Sequence, residues 1–317
     1  MTPAPPDLTI SIINHSNPQM LHECLRSLFA ATHDARLDVW VVDNATNGAG
    51  VPAMQAEFPQ VRWLFNEQRL GFSANHNQVL HRATGRYACI LNDDTIIHDR
   101  AFDALVEYMD ANSQVGMAGA RLLNGDGTQQ NCTFRFSSLG AEAVANCLLP
   151  KSLNSIKAKS IDDAQFRVIP TQVDWVLGAC IVIRRETLHQ VGLLDVVLSP
   201  IGNGEEVDWC FRAHKAGWGV AYCPNAVITH YGGQSFKLGN PGVDRTRIEA
   251  KKTSIRFAHK HFGPATALLV RAIFVFTLPW NLFMLTQTLV RRRMFWTKYK
   301  ADVITYLAIA KTGMSRI

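Results

Sequence analysis

The stretch YACILNDDTIIHD, residues 87–99, sets the fold class of this chain, because an apolar run ends abruptly in Asn92-Asp93-Asp94. Two adjacent carboxylates repel each other, and burial strengthens that repulsion. The pair therefore needs a positive charge beside it or full hydration in a solvated turn. The surrounding sequence has to decide between a functional site and an ordinary turn after a strand.

Short apolar runs alternate with helical patterns on both sides of this stretch. The predicted strands are residues 8–13, 37–43, 61–65, 87–91 and 115–120, and helices are predicted after Asn17-Pro18, after a loop at Gly71 and over residues 101–112. This alternation is typical of an α/β fold with a mostly parallel sheet. Ligands of such sheets bind beyond the carboxyl ends of the strands, where Asp43 and Asn92-Asp93-Asp94 fall.

After residue 120 the predicted elements become shorter. Gly125-Asp126-Gly127 indicates a hairpin within residues 121–133, whereas residues 134–170 receive no firm assignment. The remaining predictions are a strand that contains Gly178 and passes into a helix over 173–188, a helix over 204–218, and short strands at 220–224 and 226–233.

Charge is distributed unevenly along the 317 residues. Residues 251–317 hold twelve Lys or Arg and one acid, which gives a net charge of 12 − 1 = +11. Because the whole chain carries +6, the preceding 250 residues have a net charge of −5. Between Arg271 and Arg291 lie 19 uncharged residues, near transmembrane length, and bases interleaved with aromatics follow. This composition favours an anionic membrane surface over nucleic acid. Residues 272–290 could form an interfacial helix, a true span, or a buried core or dimer helix.

The seven cysteines are scattered and form no CxxC pair, which indicates reduced thiols. No basic segment precedes the first apolar run, so no signal peptide is predicted. We therefore expect a cytoplasmic protein that is peripheral on the inner face of the cell membrane.

The chemistry-bearing residues are acids at the ends of predicted elements and one histidine. They are Asn92-Asp93-Asp94, Glu205-Glu206 with Asp208 at a helix start, and His230 at a strand end. A hard divalent cation prefers carboxylate oxygens, and manganese also accepts imidazole, so Asp94 and His230 could supply one ligand each. Each piece alone has a structural explanation, since acids at a helix start simply favour the macrodipole.

The order of seven blocks is more specific than any one of them. In this order, ISIINHSNPQMLHECLRSL, VVDNATNG, LGFSANHN, GRYACILNDDT, DWVLGACIVIRRETLHQVGLLD, GEEVDWCFRAHKAGW and NAVITHYGGQS resemble the inverting nucleotide-sugar glycosyltransferases of glycosyltransferase family two. The resemblance covers about residues 8–236 and is strongest to rhamnosyltransferase-type members of bacterial polysaccharide or O-antigen assembly.

The resemblance implies a GT-A fold and a Mg²⁺ or Mn²⁺ cofactor, which would neutralise the aspartate pair. Asp43 corresponds to the aspartate that hydrogen-bonds the donor's base. Asn92 and Asp94 correspond to the outer positions of the family's Asp-x-Asp motif, with Asn92 near the ribose and Asp93 between them. Asp94 is then the metal ligand, and His230 joins the metal and diphosphate site.

The resemblance also assigns an acceptor side. Glu206 corresponds to the second acid of the family's Glu-Asp pair, which is the general base, and Glu205 corresponds to the first. Gly178 and Ala179 would line the acceptor side, and Asp208 is assigned to the same side.

Three positions depart from the family's pattern. Glu206 stands where Asp is usual, and misplacing a catalytic group by about 1 Å can cost about 100-fold in rate. Ser16 stands where Asn is common, and so does Arg69. Both lie near the donor in the family, so the identity of the donor stays open.

The expected reaction follows from these roles. A sugar leaving a nucleoside diphosphate passes through an oxocarbenium-like state, and charge builds on the departing phosphate oxygen. An acceptor hydroxyl must lose its proton, for which Glu206 is the candidate base, and one base without a second nucleophile implies inversion. The partners are a nucleoside-diphosphate sugar of rhamnose or another hexose, a glycan or polyprenyl-linked acceptor, and the membrane, with a homo-oligomer left open.

Three parts are expected: residues 1–120 bind the nucleotide sugar, 121–240 hold the acceptor and catalytic half, and 241–317 form the helical tail. One alternative is a nucleotidyltransferase, but SIINHSNPQ lacks the Gly-rich phosphate loop that such enzymes need. The other alternative is a non-catalytic nucleotide-sugar-binding or scaffold protein at the membrane.

Overall fold

A large sheet organises the computed structural model, which describes residues 5–15, 17–46, 48, 50–148, 168–200, 202, 204–232, 244–291 and 294–314. The strands are β1 (Leu8–Asn14), β2 (Leu37–Asp43), β3 (Arg62–Phe65), β4 (Tyr87–Leu91), β5 (Thr95–Ile97), β6 (Val115–Leu123), β7 (Thr133–Phe134), β8 (Thr171–Gln172), β9 (Trp175–Val176), β10 (Cys180–Arg184) and β11 (Gly219–His230). The helices are α1 (Pro18–Ala30), α2 (Val51–Glu57), α3 (Phe72–Leu80), α4 (Ala101–Ala111), α5 (Leu139–Asn146), α6 (Arg185–Val191), α7 (Glu205–Lys215), α8 (Arg245–Phe276), α9 (Leu278–Val290) and α10 (Trp296–Met314).

The strand order places the predicted site residues at one edge of the sheet. Among the described residues the order is β3-β2-β1-β4-β10-β6-β11-β5, with β8 beside β11 and a separate ribbon of β7 and β9. β1 pairs in parallel with both β2 and β4, so Asn14, Asp43 and Asn92 meet where these strands end. The mostly parallel α/β sheet is therefore confirmed, and the order reverses at β1, where ligands of such folds bind.

Local sequence explains the first elements. Every residue of β1 and of β4 is buried, as expected for strands of a sheet that helices cover on both faces. Asn17 caps α1, since its Oδ1 accepts a hydrogen bond from the Met20 N–H at 3.2 Å, and Pro18 occupies the first turn.

Several details differ from the sequence prediction. The single strand predicted around Gly178 is two strands, because β9 pairs with β7 whereas β10 runs antiparallel between β4 and β6. The two short strands predicted near the end of the sheet are one strand, β11, which stays continuous through an irregularity between Cys223 and Val227. The structure also contains β5 and α5, which the sequence did not predict; residues 149–167 lie outside the described part.

The chain divides into two compact units. One comprises Met1–Arg135, Asp162–Val196 and Pro200–Lys237, and the other comprises Phe136–Ile161, Val197–Ser199 and Leu238–Ile317. The three-part division into residues 1–120, 121–240 and 241–317 stays a prediction.

The second unit has its own apolar core, made of Ile255, Ala258, Ala267, Val270, Phe274 and Ile309. α8 is broken at Gly263, whose φ of 86° is not helical, and Pro264 starts the next helical segment. Asn281 in α9 is fully buried, with its Oδ1 accepting from Leu148 N at 2.7 Å and its Nδ2 donating to Asn146 O at 2.9 Å.

One face of residues 264–290 is exposed and uncharged. We call it the apolar stripe, and it consists of Leu269, Phe276, Trp280, Phe283 and Val290. These positions repeat at intervals of three, four or seven residues, so they share one helix face. By length and composition, the run Arg245–Val290 could cross a membrane, and 22% of its most apolar 18-residue window is buried.

Candidate active site

Asp43 ends β2 in a buried, hydrogen-bonded position. Asn14 Nδ2, at the end of β1, donates to Asp43 Oδ1 at 2.7 Å, and the Thr46 N–H donates to Asp43 Oδ2 at 3.3 Å. This arrangement fixes the carboxylate at the edge of the sheet where the donor's base was predicted to bind.

A network of amides holds the loop before α3 against the end of β2. Asn44 Oδ1 accepts from Leu70 N at 2.8 Å, Asn44 Nδ2 donates to Leu70 O at 3.0 Å, and Asn75 Nδ2 donates to the same carbonyl. Arg69 lies on this loop. Burial and then the Arg69 charge lower the pKa of His15. The departure predicted at Ser16 lies outside the described residues.

The adjacent carboxylates of Asp93 and Asp94 are both nearly buried, so the solvated-turn interpretation is wrong for them. The His15 N–H donates to Asp93 Oδ2 at 3.3 Å. Burial and then the neighbouring Asp94 charge raise the pKa of Asp93 to about 7. The repulsion expected from the sequence is therefore present at this edge of the sheet.

Asp94 and His230 face each other across β5 and β11. Thr95 pairs with His230 in the antiparallel ladder, and the Tyr231 N–H donates to the Asp94 carbonyl at 3.0 Å. This pairing brings Asp94 Oδ1 to 3.3 Å from His230 Nε2, and Asn92 Nδ2 lies 3.2 Å from the same nitrogen. The structure therefore brings together three residues that stand up to 138 positions apart in sequence.

This pair fits a divalent cation by its chemistry. One carboxylate oxygen and one imidazole nitrogen form a donor set that manganese accepts. Two neighbouring ligands at about 2.1 Å from one cation lie about 3 Å apart, close to the spacing of Asp94 Oδ1 and His230 Nε2. Within the described residues no group of three or more His, Cys, Asp or Glu side chains could hold a metal, so donor phosphates and water would complete the coordination.

Glu206 is half-buried in the first turn of α7 and lies against Gly178. A Cβ added at Gly178 would lie 3.7 Å from the Glu206 carboxyl carbon, so any larger side chain here would contact the carboxylate. The Ala179 carbonyl accepts from Asn92 N at 3.0 Å, which ties this loop to the aspartate pair. Burial raises the pKa of Glu206, which suits a group that must accept a proton near neutral pH.

The other two acids of this helix differ in their surroundings. Glu205 is almost completely buried, and Asp208 is fully buried with its Oδ2 paired to Arg212 Nε at 2.8 Å. Arg212 also donates to the Leu193 carbonyl at 2.8 Å, so Asp208 helps to fix the chain before α7.

Sequence reasoning missed two residues at this site. Asn14 Nδ2 donates to Asp43 Oδ1, and Gln130 Oε1 lies 2.7 Å from His230 Nδ1, from which this carbonyl oxygen can only accept. An asparagine at the end of a strand beside Asp43 could have been found from the parallel pairing, whereas Gln130 has no recognisable signal in the sequence.

Comparison with known families gives a match that covers most of the chain. A family model described as glycosyltransferase like family 2 matches residues 5–239.

Curated relatives cover similar proportions of the chain. It is 25% identical over 272 residues to an N-acetylglucosaminyl-diphospho-decaprenol L-rhamnosyltransferase of Mycobacterium tuberculosis, covering 81% of this chain and 85% of the relative. It is 23% identical over 256 residues to the amylovoran biosynthesis glycosyltransferase AmsE of Erwinia amylovora, covering 80% and 86%.

Two solved structures share the fold. The mannosyltransferase PcManGT of Pyrobaculum calidifontis, solved with GDP-Man and Mn²⁺, superposes with a TM-score of 0.57 at 14% identity, over 98% of this chain and 87% of that one. GalNAc-T7, solved with UDP, GalNAc and Mn²⁺, gives a TM-score of 0.58 at 14% identity, over 82% of this chain and half of that one.

Proposed function

Because the family match spans residues 5–239, the chain belongs to glycosyltransferase family 2, and we propose that it is a metal-dependent inverting hexosyltransferase. The GT-A fold expected from the resemblance is confirmed by the solved structures that share it. The observation that best supports catalysis is Glu206 against Gly178, on a loop tied through Ala179 to Asn92.

Glu206 is proposed as the general base. An acceptor hydroxyl holds its proton far too tightly to attack unaided at neutral pH, so a positioned carboxylate must take that proton as the bond forms. Because Gly178 has no side chain beside the Glu206 carboxyl carbon, the hydroxyl would have room to approach there. Single displacement at the sugar carbon would then invert its configuration, and Glu205 would support the base from within α7.

Asp94 and His230 are proposed to hold Mg²⁺ or Mn²⁺. When bound, such an ion would offset the charge that develops on the departing diphosphate. Asp43 would accept a hydrogen bond from the donor's base, Asn92 would lie near the ribose, and Asp93 would fill the middle position of the motif between Asn92 and Asp94. Gly178, Ala179 and Asp208 are assigned to the acceptor side.

The relatives' names support a proposal for the substrates. The mycobacterial relative is an L-rhamnosyltransferase that acts on a diphospho-decaprenol, and the Erwinia relative belongs to amylovoran biosynthesis. We infer that this chain moves rhamnose or another hexose from a nucleoside-diphosphate sugar to a glycan or polyprenyl-linked acceptor of a cell-surface polysaccharide. The basic tail would keep the enzyme peripheral on the inner face of the cell membrane, and a homo-oligomer stays open.

A screen of nucleotide sugars by thermal shift, with and without Mn²⁺, tests the proposal, because a ligand that binds only the folded state raises Tm. The expected result is a Mn²⁺-dependent rise with one nucleotide sugar and slow Mn²⁺-dependent hydrolysis of that sugar. Binding without hydrolysis or transfer to any acceptor would favour a non-catalytic nucleotide-sugar-binding protein. Absence of both would overturn the proposed function.

A further inference from the structure

A chain of side-chain hydrogen bonds connects the hairpin after β6 with the imidazole of His230. Thr128 Oγ1 donates to Asp126 Oδ1 at 2.6 Å, and Asn124 Nδ2 donates to Thr128 Oγ1 at 2.9 Å. Gln130 Nε2 donates to Asn124 Oδ1 at 3.0 Å, and Gln130 Oε1 lies 2.7 Å from His230 Nδ1. The hairpin predicted around Gly125-Asp126-Gly127 is thus confirmed, and it contacts the candidate metal site.

Asp126, at the end of this series of hydrogen bonds farthest from His230, determines which group donates in each bond. The Asp126 carboxylate can only accept, and the Thr128 hydroxyl keeps the pKa of Asp126 below its usual range. Thr128 therefore donates to Asp126 and accepts from the Asn124 amide, which leaves Asn124 Oδ1 to accept from Gln130 Nε2. Gln130 Oε1 is then the atom that faces His230.

A second contact gives the same orientation of Gln130. Its Nε2 also donates to the backbone carbonyl of His230 at 3.3 Å, an oxygen that can only accept. A flipped amide would place Oε1 against two acceptor oxygens. Gln130 Oε1 therefore accepts from His230 Nδ1, and that ring nitrogen keeps the proton.

This tautomer determines whether Nε2, the other ring nitrogen, carries a proton or a free lone pair. With the proton on Nδ1, a neutral imidazole presents the lone pair of Nε2. Nε2 is the atom 3.3 Å from Asp94 Oδ1 and 3.2 Å from Asn92 Nδ2. In the structure the Asn92 amide can donate to this lone pair, and it lies on the atom that a cation would share with Asp94.

We propose that Gln130 is a positioning residue that fixes His230 in the Nδ1–H tautomer and so directs the Nε2 lone pair to the cation. The inference rests on the proposed metal-dependent function, and it adds a residue that does not touch the metal. Partners that orient a ligating histidine in this way typically change metal affinity by about 10–100-fold when they are replaced.

Three variants of the full chain test this assignment. Gln130→Met keeps the side-chain length but removes the acceptor for Nδ1–H, whereas Gln130→Glu keeps an acceptor and loses the amide donor. Gln129→Met is the matched control, because Gln129 bonds Arg121 and the Leu122 carbonyl in the same hairpin. The readout is the Mn²⁺ dissociation constant from the EPR signal of free Mn²⁺, measured with Mn²⁺ alone and with UDP or dTDP present.

We expect Gln130→Met to weaken Mn²⁺ binding by about 10–100-fold, while Gln130→Glu keeps clearly more affinity than Gln130→Met and Gln129→Met stays near the wild-type affinity. Equal losses in both Gln130 variants would assign Gln130 a merely structural role and overturn the proposal. Wild-type affinity in Gln130→Met would overturn it as well. If the wild-type chain binds no Mn²⁺ under any of these conditions, the proposed metal-dependent function fails instead.

The tautomer can be measured without metal. Long-range ¹H–¹⁵N correlation spectra of protein labelled in its histidines should show His230 with the proton on Nδ1, and Gln130→Met should shift the ring towards the other tautomer. A wild-type ring that carries its proton on Nε2 would contradict the inference even if the metal function stands.

Discussion

Glu206 is the residue on which the proposed chemistry depends most. We expect Glu206→Gln to lower the rate of donor hydrolysis or transfer by at least about 100-fold, because an amide cannot accept the proton of the attacking hydroxyl. Donor affinity should change little, since the variant is nearly isosteric. Steady-state kinetics together with donor titration would separate the two effects, and Glu186→Gln, an exposed acid in the first turn of α6, is the control.

The pH profile supplies an independent check on the same residue. Burial raises the pKa of Glu206, and the base must be deprotonated, so the wild-type rate should fall as pH decreases through a value above that of an ordinary glutamate. Glu206→Gln should lose this acidic limb. If the limb and the rate both persist, the base is Glu205 or Asp208.

Asp94→Ala should abolish Mn²⁺-dependent donor binding without unfolding the chain. The carboxylate lies in a loop between two strands. Burial and then the Asp94 charge raise the pKa of Asp93, so removing Asp94 also relieves that second contribution. Thermal shift with the donor, with and without Mn²⁺, measures the effect, and exposed Asp99→Ala is the control. Near wild-type turnover in Mn²⁺ would show that the metal site is misassigned.

At the residue scale, the sequence revealed the groups whose chemical type is unusual for their position. Three aspartates stand at or directly after the ends of apolar strands: Asp43, Asp93 and Asp94. Burying a charge there costs folding free energy unless the charge is paired or hydrogen-bonded, so such residues indicate a site. Gln130 could not be found in this way, because a glutamine in a polar hairpin is common. Its contact with His230 depends on a pairing between segments 100 positions apart.

At the scale of elements, Asp7 connects the beginnings of three strands through hydrogen bonds. It precedes β1 and accepts from Arg36 N and Nε at 3.0 Å, before β2, and from Arg86 Nε at 3.1 Å, before β4. The Arg36 side chain, with further help from its N–H and from Arg86, holds the pKa of Asp7 well below its usual range. We expect Asp7→Asn to destabilise the chain by about 1–3 kcal/mol at neutral pH, the usual cost of losing bonds to a charged group.

The sign of the pH dependence follows from that lowered pKa. A carboxyl whose folded pKa lies below its unfolded value of about 3.9 stabilises the fold above that value and loses this contribution as pH falls. The Tm difference between wild type and Asp7→Asn should therefore shrink in acid. Asp34→Asn removes an exposed pair with Arg100 and should change Tm little at any pH. A pH-independent difference for Asp7→Asn would contradict the account.

Elements with a strong pattern of apolar residues could be predicted from the sequence. Elements that are defined by the strands with which they pair could not. Largely apolar runs identified β1, β2 and β4, because a sheet covered on both faces buries most residues of its inner strands. The split of one apolar run into β9 and β10 was hidden, since both pieces have strand composition and differ only in their partners. β5 has three residues, too few for a recognisable period.

At the scale of the whole molecule, the tail differs from the rest in charge and in surface. Residues 251–317 carry +11 and the preceding residues −5, and the apolar stripe is exposed among these bases. Two such tails would repel each other, whereas an anionic leaflet attracts each base near its surface by about 1 kcal/mol. Asn281 in the same run is buried, and its amide is bonded to the backbone of Leu148 and Asn146.

We therefore expect the protein to bind membranes through the apolar stripe. Full-length protein should float with vesicles that contain phosphatidylglycerol, and less with phosphatidylcholine alone. Phe276→Ser combined with Phe283→Ser should reduce flotation strongly, since large apolar side chains that enter the interface supply much of the binding energy. Phe65→Ser removes a phenylalanine that is 57% exposed in the other unit and should leave flotation unchanged. Truncation near residue 262 is a poorer test, because it would separate Ile255 and Ala258 from the rest of their core.

Labels at single cysteines distinguish a helix in the interface from a span. Six of the seven natural cysteines are buried, so replacing Cys147 leaves a suitable background. Positions 276 and 290 are 14 residues apart, or about 21 Å along a helix. A helix lying in the interface places labels at 276, 283 and 290 at equal shallow depths, and we expect this result from spin-label accessibility. Depths that differ by a large part of that length would show a span, and labels that remain in water while the protein sediments as a dimer would make the stripe a dimer interface.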